Sequence, residues 1–304
     1  MQGNLVVIVG PTAVGKTNLC VRLAETLDAE VFSADSRQLY KEMSIGTAKP
    51  TVEEMQAVKH HFVDSHSIET LFTAGDYERE LDVLLPSYFE EKPFAILSGG
   101  TGLFVRAALQ GLDDMPEAPQ ELRETLMQRL EQEGLDILRA ELLALDPESA
   151  DSLALSNPQR VVRALEVCLS TGQPFSSFKT RSEKTLPYHV IKIGLERPRE
   201  ELYARINLRV DHMMAAGLLE EVRALLPYRR HYALQTVGYK ELFDYFEGAY
   251  SLDEAVALIK RNSRRYAKRQ LTWFKNQDSF QWFSAEDEAG ILEYIKEKSL
   301  PHAG

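Results

Sequence analysis

Apolar residues along this chain fall into two patterns. "NLVVIVG" (Asn4 to Gly10) is a short, β-branched run without polar alternation, as a strand buried on both faces of a parallel sheet requires. "AEVFSAD" (29–35), "HHFVD" (60–64), "FAILSGG" (94–100) and "YHVIKIGLE" (188–196) repeat that pattern. Between strands the spacing becomes helical: Leu19, Leu23 and Leu27 recur every four residues on one face. Strands alternating with helices predict a parallel α/β sheet. At "GLDDMPEAPQ" (111–120) a glycine, two aspartates and two prolines interrupt the alternation. From there to about Gly172 only helical periodicity remains. Its clearest helix is "SNPQRVVRALEVCLSTG", with Asn157 as cap, Pro158 in the first turn and Gly172 as stop. A polar loop, "QPFSSFKTRSEKTLP", leads back to strand. The pattern predicts an α/β core, residues 1–111 and 188–304, carrying a mostly helical insertion over 112–187. Beyond the last strand it predicts a long helix from about Arg199 to Leu226 and another near Lys260 to Lys275.

Composition narrows the class. At 304 residues, with 44% hydrophobic and 27% charged, the chain is ordinary for a globular protein. No apolar run is long enough to span a membrane, and the opening "MQGNLVV" reads as entering a strand, not as a signal peptide. Cys20 and Cys168 sit in helical apolar patterns and read as buried thiols. A cytoplasmic monomer is the expectation. A net charge of −11 argues against a generic nucleic-acid binder. Its distribution changes that picture: from Ala255 to Gln277 there is no acidic residue, while Lys260, Arg261, Arg264, Arg265, Lys268, Arg269 and Lys275 all fall there. A local basic stripe on an acidic protein can still dock a polyanion.

The first candidate chemistry is "GPTAVGKT", which fits G-x-x-x-x-G-K-[ST] between a strand and a helix. Chance matches to those four fixed positions arise in only about 1% of chains this long. Gly10, Pro11, Thr12, Ala13, Val14 and Gly15 would form a tight loop with backbone N–H groups converging on phosphate oxygens, Lys16 adding charge and Thr17 a hydroxyl for Mg²⁺. The fold this predicts is a P-loop NTPase-like parallel sheet core with a mostly helical insertion. "FAILSGG" runs into Thr101 where a P-loop ATPase would place its magnesium-holding acid, which lowers the case for a motor ATPase and leaves kinases and other phosphate-binding transferases. Asp35 falls at the carboxyl end of the second strand, the edge where ligands bind in such sheets. By position it is a general base, a magnesium ligand or a helix cap, and all three stay open.

Six blocks occur in order: "GPTAVGKT", "DSRQLYKEMSIGTAKP", Gly99 to Leu109, "NPQRVVRALEV", "TVGYKEL" and "RRYAKRQLTWF". Together they resemble the bacterial tRNA dimethylallyltransferase (isopentenyltransferase) family over nearly the whole chain. Phe104 departs from it, standing where tyrosine is common. The resemblance implies transfer of a dimethylallyl group from its diphosphate to N6 of the adenosine just 3′ of the anticodon, in tRNAs reading codons that begin with U. Lys16, Thr17 with Mg²⁺, Thr101 and a nearby arginine would stabilise the diphosphate leaving group. Asp35 would accept the N6 proton from a base turned out of its stack. Ser36, Arg37 and Gln38 flank it.

The same resemblance lays Gln159, Arg160, Val161, Val162 and Arg163 against the tRNA, with Arg163 also reaching toward the diphosphate, and adds Arg123. Gln235, Gly238, Tyr239, Arg264, Arg265 and Lys268 complete the implied RNA surface. Ile259, Tyr266 and Trp273, at seven-residue spacing, predict the face that docks the basic helix on the core. His60 and His61 have no ligand-spaced partners and read as strand-edge residues. A prenyltransferase acting on free adenylate, a P-loop small-molecule kinase and a pure RNA-binding module are the alternatives. The kinase leaves the basic stripe without work, and the RNA-binding module leaves Asp35 and Thr101 idle.

Overall fold

β1 (Asn4–Val9) is the centre of the sheet, and Leu5 to Val9 are fully buried, as a strand covered on both faces must be. The computed structural model describes residues 3–179, 184–277 and 280–300. Around β1 stand β2 (Glu30–Ser33), β3 (His60–His61), β4 (Phe94–Gly99), β5 (His189–Glu196) and β6 (Gln281–Ser284), in the order β3-β2-β4-β1-β5-β6, every neighbour parallel. β4 lies between β1 and β2, so the loops after these three strands emerge side by side at one edge.

The helices that join them are α1 (Lys16–Leu27), α2 (Val52–Ala57), α3 (Ala74–Glu91) and α4 (Gly102–Gln110). After β5 come α9 (Arg199–Ala215), α10 (Leu218–Ala224), α11 (Tyr239–Phe246), α12 (Leu252–Gln277) and α13 (Glu288–Lys298). Residues 3–110 and 185–300 of the described chain belong to one compact unit; a second comprises 111–184, without the undescribed 180–183. The second is helical: α5 (Gln120–Glu133), α6 (Leu135–Leu145), the single turn α7 (Ser149–Ser152) and α8 (Pro158–Thr171). It has its own core, in which Leu126, Leu138, Leu142, Val161, Val162 and Leu165 are buried. Both cysteines are free and buried.

Four expectations change. The third strand is two residues long because Phe62 (φ 61°) and Asp64 (φ 52°) turn the backbone away. The long helix after β5 breaks at Gly217, whose φ of 99° ends α9 and starts α10. β6 is a strand the apolar pattern did not predict. The polar loop at 173–187 opens with a short 3₁₀ turn, Phe175–Phe178, and its residues 180–183 lie outside the described part.

Candidate active site

The loop after β1 is shaped by backbone conformations few residues adopt. Gly15 (φ 114°) opens α1, and Ala13 (φ 63°) is held in the left-handed region. Three arginines grip this loop on consecutive residues. Arg209 donates to Thr12 Oγ1 at 2.9 Å, Arg205 Nε to the Ala13 carbonyl at 2.9 Å, and Arg197 Nε to the Val14 carbonyl at 2.7 Å. Arg205 and Arg209 are one turn apart on α9, so one helix face delivers both. Lys16 Nζ donates to the carbonyls of Gly10 and Pro11, each at 2.8 Å. Burial, and then the Arg209 guanidinium, pull the Lys16 ammonium down to about 8. Burial lowers Arg209 too. Cations pressed together at this cost form a site shaped for an anion.

Beside this loop lies a cavity of about 410 Å³ whose wall includes Thr12, Lys16, Thr17, Asp35, Gln38, Arg205, Arg209 and Tyr266. Asp35 follows β2. Its Oδ1 accepts the backbone N–H groups of Arg37 (2.9 Å) and Gln38 (3.3 Å), so it caps a turn as well as facing the cavity. Thr101, after β4, ties this turn to the sheet: its N–H donates to the Ala34 carbonyl (3.2 Å), its Oγ1 accepts Ser36 N–H (3.0 Å) and donates to Ser36 Oγ (3.3 Å). Gln38 Nε2 donates to the Thr47 and Ala48 carbonyls. Arg37 stacks on the exposed Tyr232 ring, 4.9 Å from its centroid. The fold thus brings Lys16, Thr17, Asp35 and Gln38 to one cavity, with Ser36 and Thr101 joined behind.

Several groups expected on an RNA surface are placed otherwise. Tyr239 is fully buried and donates its hydroxyl to Glu221 Oε1 at 2.7 Å. Glu221 also accepts the N–H groups of Ser44, Ile45 and Gly46, holding the loop that Gln38 braces. Gly238 is buried, and its N–H donates to the buried Glu241 at 2.8 Å. "GYKEL" therefore builds a helix start and anchors a loop; Tyr239 has no side-chain surface for RNA. Gln235 stays exposed. On α12 the docking row is Ala255, Ile259, Ala267, Gln270 and Phe274. Tyr266 instead is 37% exposed and lines the cavity, and Trp273 is half-buried. Arg265 and Lys268 are exposed, while Arg264 is half-buried and donates to Asn207 Oδ1 at 2.5 Å.

In the helical unit, α8 starts as its sequence implies. Asn157 Oδ1 accepts the N–H groups of Gln159 and Arg160, and Gly172 (φ 71°) ends the helix. Gln159 and Arg160 are exposed. Val161 and Val162 are not surface residues, because both are fully buried in the unit's core. Arg163 donates to the Pro116 carbonyl (2.9 Å) and to Glu166 (3.1 Å); Arg123 also reaches Glu166, at 3.1 Å. Glu166 is buried and locks both guanidinium groups.

His61 pairs with Glu30 at 2.5 Å and stacks on Phe32, while His60 bonds the Val58 carbonyl, so both are engaged at the edge of the sheet. Among the described residues no group of three or more His, Cys, Asp or Glu comes together to hold a metal. No helix among them is long and apolar enough to cross a membrane.

A P-loop cradle beside a carboxylate, at the carboxyl edge of a parallel sheet, defines a phosphate-handling α/β protein. Which one follows from comparison with known proteins. Residues 38–277 match the family model described as IPP transferase, so the chain belongs to that family. It is 51% identical to a tRNA dimethylallyltransferase of Cytophaga hutchinsonii over 97% of each chain. The solved tRNA isopentenylpyrophosphate transferase of Bacillus halodurans superposes with a TM-score of 0.71 at 39% identity, covering 98% of both chains. A eukaryotic dimethylallyltransferase solved acting on tRNA gives 0.77 at 25% identity, with 98% of this chain and 76% of that one covered.

Proposed function

We propose that the protein transfers a dimethylallyl group from dimethylallyl diphosphate to N6 of the adenosine 3′ of the anticodon, in tRNAs reading codons that begin with U. The observation that supports this best is that the cation-lined cradle and the Asp35 carboxylate share one cavity. The allylic C–O bond breaks with its electron pair leaving on the diphosphate, where Lys16, the P-loop amides and Arg209 take up the charge. A new C–N bond forms at N6, and the amine proton passes to Asp35. Adenine's amine is a weak nucleophile, and a placed carboxylate contributes roughly 10²–10⁴-fold. Tyr266, at the cavity wall, offers its ring to a base turned out of the anticodon loop.

Magnesium belongs to this reading. Mg²⁺ keeps several waters and binds substrate phosphates, and the cavity-lining Thr17 hydroxyl would be the protein group that holds it here. When bound it neutralises charge on the departing diphosphate. A monomer in the cytoplasm is part of the same reading.

The test incubates the protein with labelled dimethylallyl diphosphate, Mg²⁺ and either an anticodon stem-loop, AMP, or ATP with candidate acceptors. Label enters the stem-loop alone. Asp35→Ala loses nearly all transfer, at least ~10²-fold, while stem-loop binding persists. Label in AMP would establish the free-nucleotide enzyme instead, and phosphate transfer from ATP a kinase.

A further inference from the structure

Gln270 is the one polar side chain that α12 buries, only 7% exposed, in the middle of a helix otherwise rich in surface cations. Both halves of its amide are used. Oε1 accepts the Thr12 N–H at 2.9 Å, and Nε2 donates to the Gly100 carbonyl at 2.9 Å. One side chain therefore joins the phosphate loop after β1 to the loop after β4. The fit is close: a Cβ on Gly100 would stand 2.3 Å from Gln270 Nε2, so any larger residue there would displace this amide. From Gly100 the connection continues through Thr101, whose N–H bonds the Ala34 carbonyl and whose hydroxyl bonds Ser36 on either side of Asp35.

We propose that Gln270 is a positioning residue that fixes the spacing between the diphosphate cradle and the Asp35 carboxylate. The inference rests on the function proposed above. Transfer needs the breaking C–O bond and the N6 nucleophile held in one line, and these are gripped by different loops. The β1–β4 ladder, with Val9 beside Gly99, joins only the bases of these loops; among the described residues Gln270 is the side chain that hydrogen-bonds to both Thr12 and Gly100. An interior amide can do this because it offers a donor and an acceptor a fixed distance apart. Ionised glutamate cannot donate, methionine keeps the volume but neither bond, and both leave a buried backbone group unpaired. Misplacing reacting groups by about 1 Å typically costs on the order of 10² in rate.

Gln270→Met and Gln270→Glu separate this role from a part in RNA docking. Transfer to an anticodon stem-loop is measured at saturating RNA, per folded molecule counted by stem-loop binding sites, together with the stem-loop Kd. Both variants are expected to lose roughly 10²-fold in kcat, with Kd for the stem-loop within twofold of the parent. Wild-type kcat in Gln270→Met overturns the proposal. So does a weakened stem-loop Kd with kcat intact at saturation, which would assign Gln270 to the RNA surface. Absence of transfer by the parent protein is a different failure: it removes the proposed function itself.

Discussion

The two units use arginine in opposite ways. In the α/β unit, Arg205 and Arg209 donate to the P-loop's own carbonyl and hydroxyl oxygens and form no ion pair among the described residues. Asp35, across the same cavity, offsets part of the charge of Arg209 and Lys16, but burial and then Arg209 outweigh it and bring the Lys16 ammonium down to about 8. In the helical unit, Arg123 and Arg163 share the buried Glu166, so one carboxylate offsets half of their charge and holds both side chains before any ligand arrives. The first arrangement stores unfavourable electrostatics that an arriving anion relieves, while the second sets the direction of two side chains. On the proposed function, the first would serve chemistry and the second fit to the RNA.

The largest effect that sharpens this contrast comes from removing cradle charge. Lys16→Ala or Arg209→Ala is expected to lower kcat/KM for dimethylallyl diphosphate by about 10²–10³, the usual cost of deleting one preorganised donor at a developing anion. Stem-loop binding measured without diphosphate stays near the parent value. If either alanine variant weakened RNA binding as much as turnover, the cradle would not be a separate charge store.

A smaller effect follows from the Lys16 titration. With protonated Lys16 binding the diphosphate as proposed, kcat/KM is expected to fall as pH rises through about 8, approaching tenfold per pH unit above it. The stability linkage has the opposite sign. Between about pH 8 and the unfolded value of 10.5 the unfolded chain binds the extra proton, so Lys16 penalises folding less as pH rises. Measured against Lys16→Met, which lacks the titration, the parent gains relative stability across the interval in which it loses turnover. A kcat/KM flat to pH 10 would show that Lys16 stays charged in its cradle.

How far this contrast was legible in sequence depends on distance along the chain. The P-loop, its strand and helix, and the start and stop of α8 are local devices, and the residues that make them adjoin one another. Val161 and Val162 sit within a motif that resembles an RNA contact, yet their side chains belong to the apolar stripe that the same helix buries. Arg205 and Arg209 lie 192 and 197 residues from their P-loop partners, and Gln270 lies 258 from Thr12. Only the order of strands in the sheet brings such groups together. Tyr266 keeps a helical seven-residue spacing, but a cavity wall and a core wall look alike in that pattern. β6, four residues long, is too short for any periodicity to announce.

The smallest expected effect probes the arginines held by Glu166. Glu166→Gln keeps the side chain's shape and two acceptor lone pairs but removes the charge that holds Arg123 and Arg163. Buried pairs lose much when one partner goes, because the remaining charge is left uncompensated. Here both guanidinium groups are partly exposed, with side chains 41% and 35% accessible, so water takes up much of that loss and the fold is expected to survive. What changes is orientation. Stem-loop affinity should weaken by about threefold to tenfold, since each well-placed charged hydrogen bond is worth about 1 kcal/mol or more. The slope of log Kd against log salt should stay nearly constant, because no cation has been deleted. Arg163→Ala removes a cation and should lower that slope by about one, giving the contrast within a single helix. If Glu166→Gln left affinity unchanged while Arg163→Ala reduced it, the arginines would find the RNA without being aimed, and the shared Glu166 carboxylate would serve stability instead of fit.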